Sequence, residues 1–402
     1  MRRVTIIGAG RTGRGMLGEL FWSEGDVELV FADCDAELVE GLRAQGWYRV
    51  EQLDLLSGAS SITRVDSFQM VDTLREHERY LDYLETSELI ATAVFPESFD
   101  RVARDLAEMV ALRAARGNEE PVAVILGGNF VGLTSYFKDA IARCLTQRER
   151  DVFERDVTLL TSKANRKVVH ADSGEPYELI ADDKAVLPID DAFPFGPDWN
   201  MPTFFEPVPS CELSMIEKIW NENLLHCSLG FMGAYSGYET INEAVADDGI
   251  RTLARLAWLE GRQALQAEYG MPMPTAEEER VTFEKFSSPH FADKIARIVR
   301  QPIRKLQKND RFLGPALLCL KHEIVPYFIL HAAAFGFCYV DEHEPQSVEI
   351  AQAIAAHGIR GAIDQVCALH EGDPDERMVE AMLLASIQEI RASGRMSHRH
   401  AA

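Results

Sequence analysis

The sequence predicts an α/β domain with a mostly parallel, doubly wound sheet, followed by an all-α domain. In the first half, short apolar runs of strand length alternate with amphipathic stretches, which is typical of strand–helix–strand units with right-handed crossovers. After about residue 190 the periodicity is helical. Because 402 residues exceed one ordinary core, we expect domains at 1–190 and 191–393 and a disordered tail at 394–402.

The strand and connection signals support this division. The segment 190–210 is rich in proline and aromatic residues, so we expect an irregular connection there, and only helical patterns follow it. The expected strands of the parallel sheet are five short apolar runs at 4–7, 27–33, 89–94, 122–126 and 157–162.

Composition excludes several classes of function. The chain has 64 acidic against 41 basic residues, and a net charge of −23 disfavours nucleic acid and anionic membranes as partners. No apolar run reaches the roughly 18 to 20 residues that cross a bilayer. The seven cysteines are scattered without a CxxC pair, which suits free thiols in a reducing compartment. We therefore expect a cytoplasmic protein.

The turn after the first strand has the sequence G-A-G-R-T-G. Gly8 suits a tight turn, Gly10 lets the backbone approach a pyrophosphate, and Gly13 allows a helix to pack closely on the strand. The motif follows a strand and opens a helix, and Asp33 ends the second strand 20 residues after Gly13, as a dinucleotide site requires. These features predict a Rossmann domain.

Asp33 indicates which dinucleotide is bound. Its carboxylate is expected to accept hydrogen bonds from the adenosine ribose and to repel a 2′-phosphate. A second acid, Asp35, follows and no arginine does, which favours NAD(H) over NADP(H). Arg11 and Thr12 are further candidates for cofactor contact. Two alternatives remain, a purely structural glycine turn with a capping aspartate and a solvent-facing Arg11.

The stretch KIWNENLLH places polar groups in an otherwise apolar helix. At about 100° per residue, Lys218, Glu222, Asn223 and His226 lie on one side of that helix. Small residues beside such a stripe suggest a pocket wall that a ligand approaches closely. The row of small residues continues along the same face at Gly230, Gly233 and Gly237.

These residue types fit a metal-free alcohol dehydrogenase. Hydride removal from a carbinol carbon needs a base for the hydroxyl proton and donors for the oxygen. Burial of a lysine can lower its pKa toward the range that a base needs, so Lys218 is the candidate base. Asn223 can donate to the oxygen, and His226 can hold a neighbouring hydroxyl. The structural alternative is a Lys218–Glu222 ion pair beside a satisfied core histidine. A carboxylate that close would raise the pKa of the lysine.

Over nearly its whole length the chain resembles the polyol-specific long-chain dehydrogenases, or mannitol dehydrogenase family. The K-x4-N-x2-H helix of that family matches Lys218, Asn223 and His226. The opening IIGAGRTGRGMLGELF and the segment RQPIRKLQKNDR (300–311) are also similar. The likeness is closest to the branch that acts on mannitol 1-phosphate. It implies bound NAD(H), with contacts from Thr92, Ala93 and Val94 of the similar segment TAVFP.

The resemblance also implies catalytic roles. Lys218 is then the general base, Asn223 polarises the substrate oxygen, and His226 orients the substrate. Asn129 is then the second asparagine of the oxyanion site, although by itself it indicates only a strand-end turn. The family uses no zinc, and the sequence contains neither HExxH nor Cys/His ligand spacing, so no metal is expected.

Three segments near the substrate depart from the family pattern, at 127–128, 164–167 and 224–225. They leave open a different sugar phosphate, a hexuronate or a cyclitol as substrate, or a non-catalytic NAD-binding sensor. The partner is expected to be a small polyol or sugar phosphate, and the protein a monomer or dimer. Candidate substrate-binding residues are Lys163, Asn165, Arg166, Arg300 and Arg304, and the lysine and arginines among them are the expected partners of a substrate phosphate. For Arg300 and Arg304 the alternative is a structural role.

Overall fold

The computed structural model describes residues 2–54, 59–128, 130–164, 166–171, 177–287, 293–370 and 372–393. The chain forms two compact units, Met1–Ser214 and Met215–Ala402. Within the described ranges, no helix combines the length and the apolar character needed to span a membrane. The predicted tail at 394–402 lies outside the described residues.

The strands belong to the first unit. In chain order they are β1 Arg2–Ile7, β2 Val27–Asp33, β3 Trp47–Leu53, β4 Ser60–Asp66, β5 Phe68–Asp72, β6 Leu89–Thr92, β7 Val122–Gly127, β8 Val157–Ser162, β9 Val168–His170, β10 Leu179–Asp182, β11 Leu187–Asp190 and β12 Phe205–Val208.

Helices occur throughout the chain. A first π turn, Gly13–Gly18, precedes α1; a 3-10 turn, Pro96–Ser98, precedes α4; and a second π turn, Lys218–Glu222, joins α7 to α8. The helices are α1 Glu19–Ser23, α2 Ala36–Gln45, α3 His77–Glu85, α4 Phe99–Arg116, α5 Leu133–Cys144, α6 Gln147–Asp156, α7 Cys211–Glu217, α8 Asn223–Tyr235, α9 Ile241–Ala246, α10 Asp248–Tyr269, α11 Ala276–Ser287, α12 Ile295–Ile298, α13 Pro302–Lys305, α14 Leu313–Lys321, α15 Tyr327–Cys338, α16 Pro345–Cys367 and α17 Pro374–Ala392.

The main sheet has eight strands in the order β12-β11-β8-β7-β6-β1-β2-β5. All neighbours pair in parallel except β8 and β11. The strand order reverses between β1 and β6, which is the point where doubly wound sheets bind ligands beyond the carboxyl ends of their strands. Each of the five predicted strands corresponds to one strand of this sheet, and the predicted α/β fold class is confirmed.

Alternate residues of the central strands fill two apolar cores. Ile6, Phe31 and Ile125 belong to one buried cluster, while Ile7 and Val124 belong to the other. Successive side chains of a strand point to opposite faces, so a strand buried on both sides is apolar at every position. This explains why the parallel strands were visible in the sequence as unbroken apolar runs.

A second sheet, with the order β4-β3-β10-β9, was not predicted. Strand β4 is largely exposed and polar, so it has no apolar run to mark it. The prediction of an irregular connection at 190–210 was also wrong in part, since β12 pairs with β11 there. Pro207 is tolerated in β12 because the strand lies at the edge of the sheet.

The second unit is mostly helical, as predicted. Its longest regular helix in a single stretch is α10, which Asp247 caps through hydrogen bonds from Gly249 and Ile250 N–H. Gly270 ends the helix in the left-handed conformation, at φ 69°. One face of α10 is buried against α8, α14 and α15, so packing adds to what the caps supply.

Candidate active site

The glycine turn after β1 is built by steric necessity at two positions. Gly8 has φ +100°, and a Cβ atom there would lie 2.5 Å from the carbonyl oxygen of Ala93. At Gly13 a Cβ would lie 1.8 Å from the carbonyl oxygen of Gly8. Any side chain at either position would therefore displace the backbone, which matches the roles expected of both glycines.

Gly10 meets a different requirement, since a Cβ atom there would contact nothing within 4 Å. The following helical residues, Arg11 and Thr12, are exposed, and the first backbone hydrogen bond of the helix is donated by Arg14 N–H to Gly10 O, at 3.0 Å. The N–H groups of residues 11–13 precede that bond. Open space beside such N–H groups fits a dinucleotide pyrophosphate.

Asp33 ends β2 and is partly exposed. Its carboxylate accepts the Ala9 N–H at 2.7 Å and the Asp35 N–H at 3.0 Å. The residue therefore holds the glycine turn against the end of β2, in addition to the ribose contact predicted for it. Thr92 ends the neighbouring strand β6, and the adjacent Ala93 N–H donates to Ile7 O at 2.8 Å. Val94 follows, half-buried.

The sequence did not predict a role for Arg14. Its side chain is buried in the first π turn and donates from Nε to Ala9 O at 2.7 Å and from an Nη to Tyr177 O at 3.1 Å. Burial lowers the pKa of this guanidinium. Arg14 thus holds the glycine turn in place, and the motif gives no hint of this because Arg14 follows the last glycine of GxGxxG.

The predicted phosphate partners of the first unit are arranged differently from expectation. The Arg166 side chain is 2% exposed and forms an ion pair with Glu19, with Nη–Oε2 at 2.6 Å, while its Nε donates to Asp182 O at 2.8 Å. That placement gives Arg166 a structural role that was not predicted. Lys163 is half-buried. The predicted site residues Asn129 and Asn165 lie outside the described residues.

The segment that carries Lys218 is a π turn rather than an α-helix. The backbone N–H of Asn223 donates to the carbonyl of Lys218, five residues earlier. A π turn has more residues per turn than an α-helix, so Asn223 is brought closer to the face of Lys218 than α-helical spacing places it. Asn223 and His226 line the same cavity, whereas Lys218 is not among the residues that line it.

Asn223 and His226 line a cavity of about 520 Å³ within the second unit. Its other walls are provided by α10, α11 and the turn at 272–274, and we call it the α8–α11 cavity. Glu222 is exposed and also lines it. A cavity of this size accommodates a six-carbon sugar or polyol, and two of the predicted catalytic residues border it.

His226 is half-buried beside an aromatic ring and a carboxylate. It stacks on Phe286, with ring centroids 5.6 Å apart, and its Nε2 lies 3.5 Å from Asp293 Oδ2. Burial lowers the pKa of His226 to about 4, against a smaller opposing effect of Asp293. The imidazole is therefore neutral at ordinary pH, and the contact with Asp293 is not an ion pair. Nε2 is buried and makes no hydrogen bond to any described residue.

Two of the three glycines after His226, Gly230 and Gly233, face a neighbouring helix rather than a ligand, which corrects the prediction for them. A Cβ atom on Gly230 would lie 2.5 Å from Ile298 Cγ2, and one on Gly233 would lie 2.6 Å from Ile295 Cδ1. These two glycines instead let α12 pack closely on α8. The sequence shows that small residues line one face, but it does not show which partner approaches that face.

The arginines of 300–311 divide into exposed and buried groups. Arg300 is exposed, and Arg304 is half-buried with an Nε that has no hydrogen-bond partner among the described residues. Neither lines the α8–α11 cavity. Lys305 is 5% exposed and donates to the backbone carbonyls of Ile298 and Arg300, and burial lowers its pKa to about 8. Buried Arg311 contacts Cys227 Sγ at 3.3 Å.

Two family models match the chain. The mannitol dehydrogenase Rossmann domain matches residues 2–186, and the mannitol dehydrogenase C-terminal domain matches residues 215–373. Together they span most of the sequence, and each falls on one of the two compact units.

Solved structures with the same fold include polyol dehydrogenases. Pseudomonas fluorescens mannitol 2-dehydrogenase, in a ternary complex with NAD and D-mannitol, superposes with a TM-score of 0.69 at 13% identity, covering 98% of this chain and 92% of that one. A substrate-free D-sorbitol dehydrogenase gives 0.63 at 14%, covering 98% and 94%. Octopine dehydrogenase gives 0.54 at 11%, covering all of both chains.

The predicted resemblance is thus confirmed by both family models, and the glycine turn, the end of β2 and the reversal of strand order fit the dinucleotide that this Rossmann domain serves. The chain belongs to the mannitol dehydrogenase family and is an NAD-dependent oxidoreductase that acts on CH–OH groups.

Proposed function

We propose that this dehydrogenase interconverts a polyol and the corresponding ketose, without a metal ion and with Lys218 as general base. The observation that carries the proposal is the second π turn, in which the Asn223 N–H donates to the Lys218 carbonyl, because such winding favours a common face for Lys218, Asn223 and His226. Carbinol oxidation requires a base for the hydroxyl proton and neutral donors around the oxygen.

Each side chain has one task in this proposal. In the direction of oxidation, Lys218 Nζ accepts the hydroxyl proton as the carbinol carbon loses its hydride, and in reduction it returns that proton. The Asn223 amide donates to the oxygen while it carries negative charge, as Asn129 is expected to do. NAD, when bound, supplies the hydride acceptor, and the residues that would hold it are the glycine turn, Asp33 and the segment Thr92–Val94.

His226 is proposed to position the substrate rather than to exchange a proton with it. Its pKa of about 4 leaves the ring neutral, so one ring nitrogen donates and the other accepts. A neutral imidazole can bind a neighbouring hydroxyl in either sense. That property suits a polyol chain with hydroxyl groups on adjacent carbons.

Membership of the family supports a polyol as the substrate, and the presence or absence of a phosphate on it is part of the proposal. Related structures contain D-mannitol or are named for D-sorbitol, whereas the sequence resemblance is closest to the mannitol 1-phosphate branch. We therefore propose a six-carbon polyol or polyol phosphate. A non-catalytic NAD-binding sensor is the second candidate, because exposed Glu222 and the altered segments at 127–128 and 224–225 lie near the predicted catalytic residues.

The test is NADH oxidation at 340 nm with a panel of ketoses and their phosphates, using the full-length protein. Turnover with any of them, undiminished after treatment with a metal chelator, supports a metal-independent polyol dehydrogenase. NADH binding by fluorescence without turnover on the whole panel would support the sensor and contradict the proposal.

A further inference from the structure

The charge of the α8–α11 cavity discriminates between a neutral and a phosphorylated substrate. Of the described residues that line it, the ionisable ones besides His226 are three glutamates and two bases. A phosphate monoester carries about −1.5 to −2 charges at neutral pH and is normally held by a cluster of arginines or lysines. The cavity would need a surplus of positive charge to hold such a group.

One of the two bases is already neutralised. Arg262 on α10 forms an ion pair with Glu217, with Nη–Oε1 at 2.6 Å, and its Nε donates to the Pro272 carbonyl at 2.6 Å. The Arg262 side chain is only 12% exposed. Glu217 also lines the cavity, so the Arg262–Glu217 pair adds no net charge to it.

The remaining lining residues, which do not include Lys218, carry two carboxylates against one base and are therefore net negative. Lys285 is opposed by Glu222 and by Glu278, both of which line the cavity. Glu278 accepts the Thr275 N–H and hydroxyl at 2.7 and 2.9 Å, and these hydrogen bonds lower its pKa and keep it ionised. Neutral His226 contributes no positive charge. The other polar lining groups are uncharged, at Asn221, Asn223 and Thr282.

Given the proposed function, on which this inference rests, we infer that the α8–α11 cavity selects unphosphorylated polyols and ketoses and rejects their phosphates. Carboxylates accept hydrogen bonds from sugar hydroxyls and amides both accept and donate them, whereas the carboxylates of Glu222 and Glu278 repel a phosphate. None of the described residues predicted to bind phosphate lines this cavity. Selection by repulsion of the wrong substrate is a common source of specificity.

The test compares kcat/KM for D-fructose and D-fructose 6-phosphate, and for a second neutral ketose with its phosphate, all with NADH at pH 7. We expect the neutral ketose of a pair to be preferred by roughly tenfold or more, from the repulsion between like charges at close range. Preference for the phosphate would overturn the inference and leave the proposed function standing. Loss of turnover with every compound, while NADH still binds, would overturn the proposed function itself.

A charge-reversal variant tests the stated cause. Glu222→Lys lies at an exposed position, so folding is preserved, and we expect it to shift the ratio of the two kcat/KM values toward the phosphate by roughly tenfold. The matched control is Glu349→Lys on α16, which changes the net charge equally but lies outside the cavity. An unchanged ratio in Glu222→Lys, or an equal shift in Glu349→Lys, would overturn the role of the cavity charge.

Discussion

The glycine turn of the first unit leads into a π turn and the Lys218 helix of the second unit contains another, but different causes determine the shapes of the two segments. In the first segment, the backbone at positions 8 and 13 admits only glycine, so the GxGxxG motif predicts the geometry of the turn. In the second, the π turn is formed by KIWNE, which contains no glycine or proline. A motif that reflects steric necessity predicts shape, whereas a motif of reactive residues predicts only chemistry.

The strongest test of the second region is Lys218→Ala. We expect kcat to fall by roughly 10²–10⁴-fold, because the hydroxyl proton loses its acceptor. NADH affinity, measured by fluorescence titration, is expected to stay unchanged, since the dinucleotide site belongs to the first unit. Comparable kcat values in the variant and the wild-type enzyme would refute Lys218 as the base. They would also contradict the catalytic role proposed for the second π turn.

The first region is tested by a pair of glycine substitutions. Gly13→Ala places a Cβ atom 1.8 Å from Gly8 O, so we expect the free energy of unfolding to fall by roughly 3 kcal/mol. Gly10→Ala contacts nothing within 4 Å, so the fold is expected to persist while NADH binds at least roughly tenfold more weakly. Urea denaturation and NADH titration separate the two effects. Equal stability of both variants would contradict the steric account.

His226 is expected to make the free energy of unfolding depend on pH. Its pKa is about 4 in the folded chain and about 6.5 in the unfolded chain, so the unfolded state takes up the proton first as the pH falls. Stability is therefore lost between pH 6.5 and 4, by up to about 3 kcal/mol. We expect His226→Gln to remove this component in urea denaturation at a series of pH values.

His77 in the first unit provides a control, because its pKa is shifted in the opposite direction. A hydrogen bond to Glu108 raises the pKa of His77, so the stability that this contact contributes is lost as the pH rises through the folded pKa. His77→Gln should therefore alter the opposite limb of the profile. If His226→Gln has the same pH profile as the wild-type protein, the imidazole is not held neutral by burial.

The smallest expected effect concerns Asp33. Asp33→Ala removes the carboxylate that is predicted to contact the ribose, so the preference for NADH over NADPH should fall by roughly tenfold. Because Asp33 also accepts the Ala9 N–H, Asp33→Asn is the useful control, since its amide oxygen keeps one acceptor without the charge. Undiminished selectivity in both variants would limit Asp33 to holding the glycine turn.

Much of the first unit was predictable because its signals are local. The apolar runs identified the parallel strands, and the spacing of Gly8, Gly13 and Asp33 identified the dinucleotide site. The exposed strand β4 and the edge strand β12 could not be found in this way, because neither buries a continuous apolar run. Their formation depends on pairing with other strands, which no single segment reveals.

The second unit was predictable in its helices but not in its side-chain environments. Asp293 approaches His226 from 67 positions later in the chain, and no spacing rule connects them. Gly230 and Gly233 were correctly recognised as permitting a close approach, but the approaching group is α12. Contacts between distant segments decide whether a small residue serves a ligand or a neighbouring helix.

The second π turn has a consequence for how related sequences should be aligned. A π turn equals an α-helix with one extra residue, so deleting a residue within Lys218–Glu222 would restore regular winding at little cost in hydrogen bonding. Every residue before the deletion would then rotate by about 100° relative to those after it. A homologue with a single gap in this segment would therefore keep the helix and its core, yet present a different side chain beside Asn223 and His226.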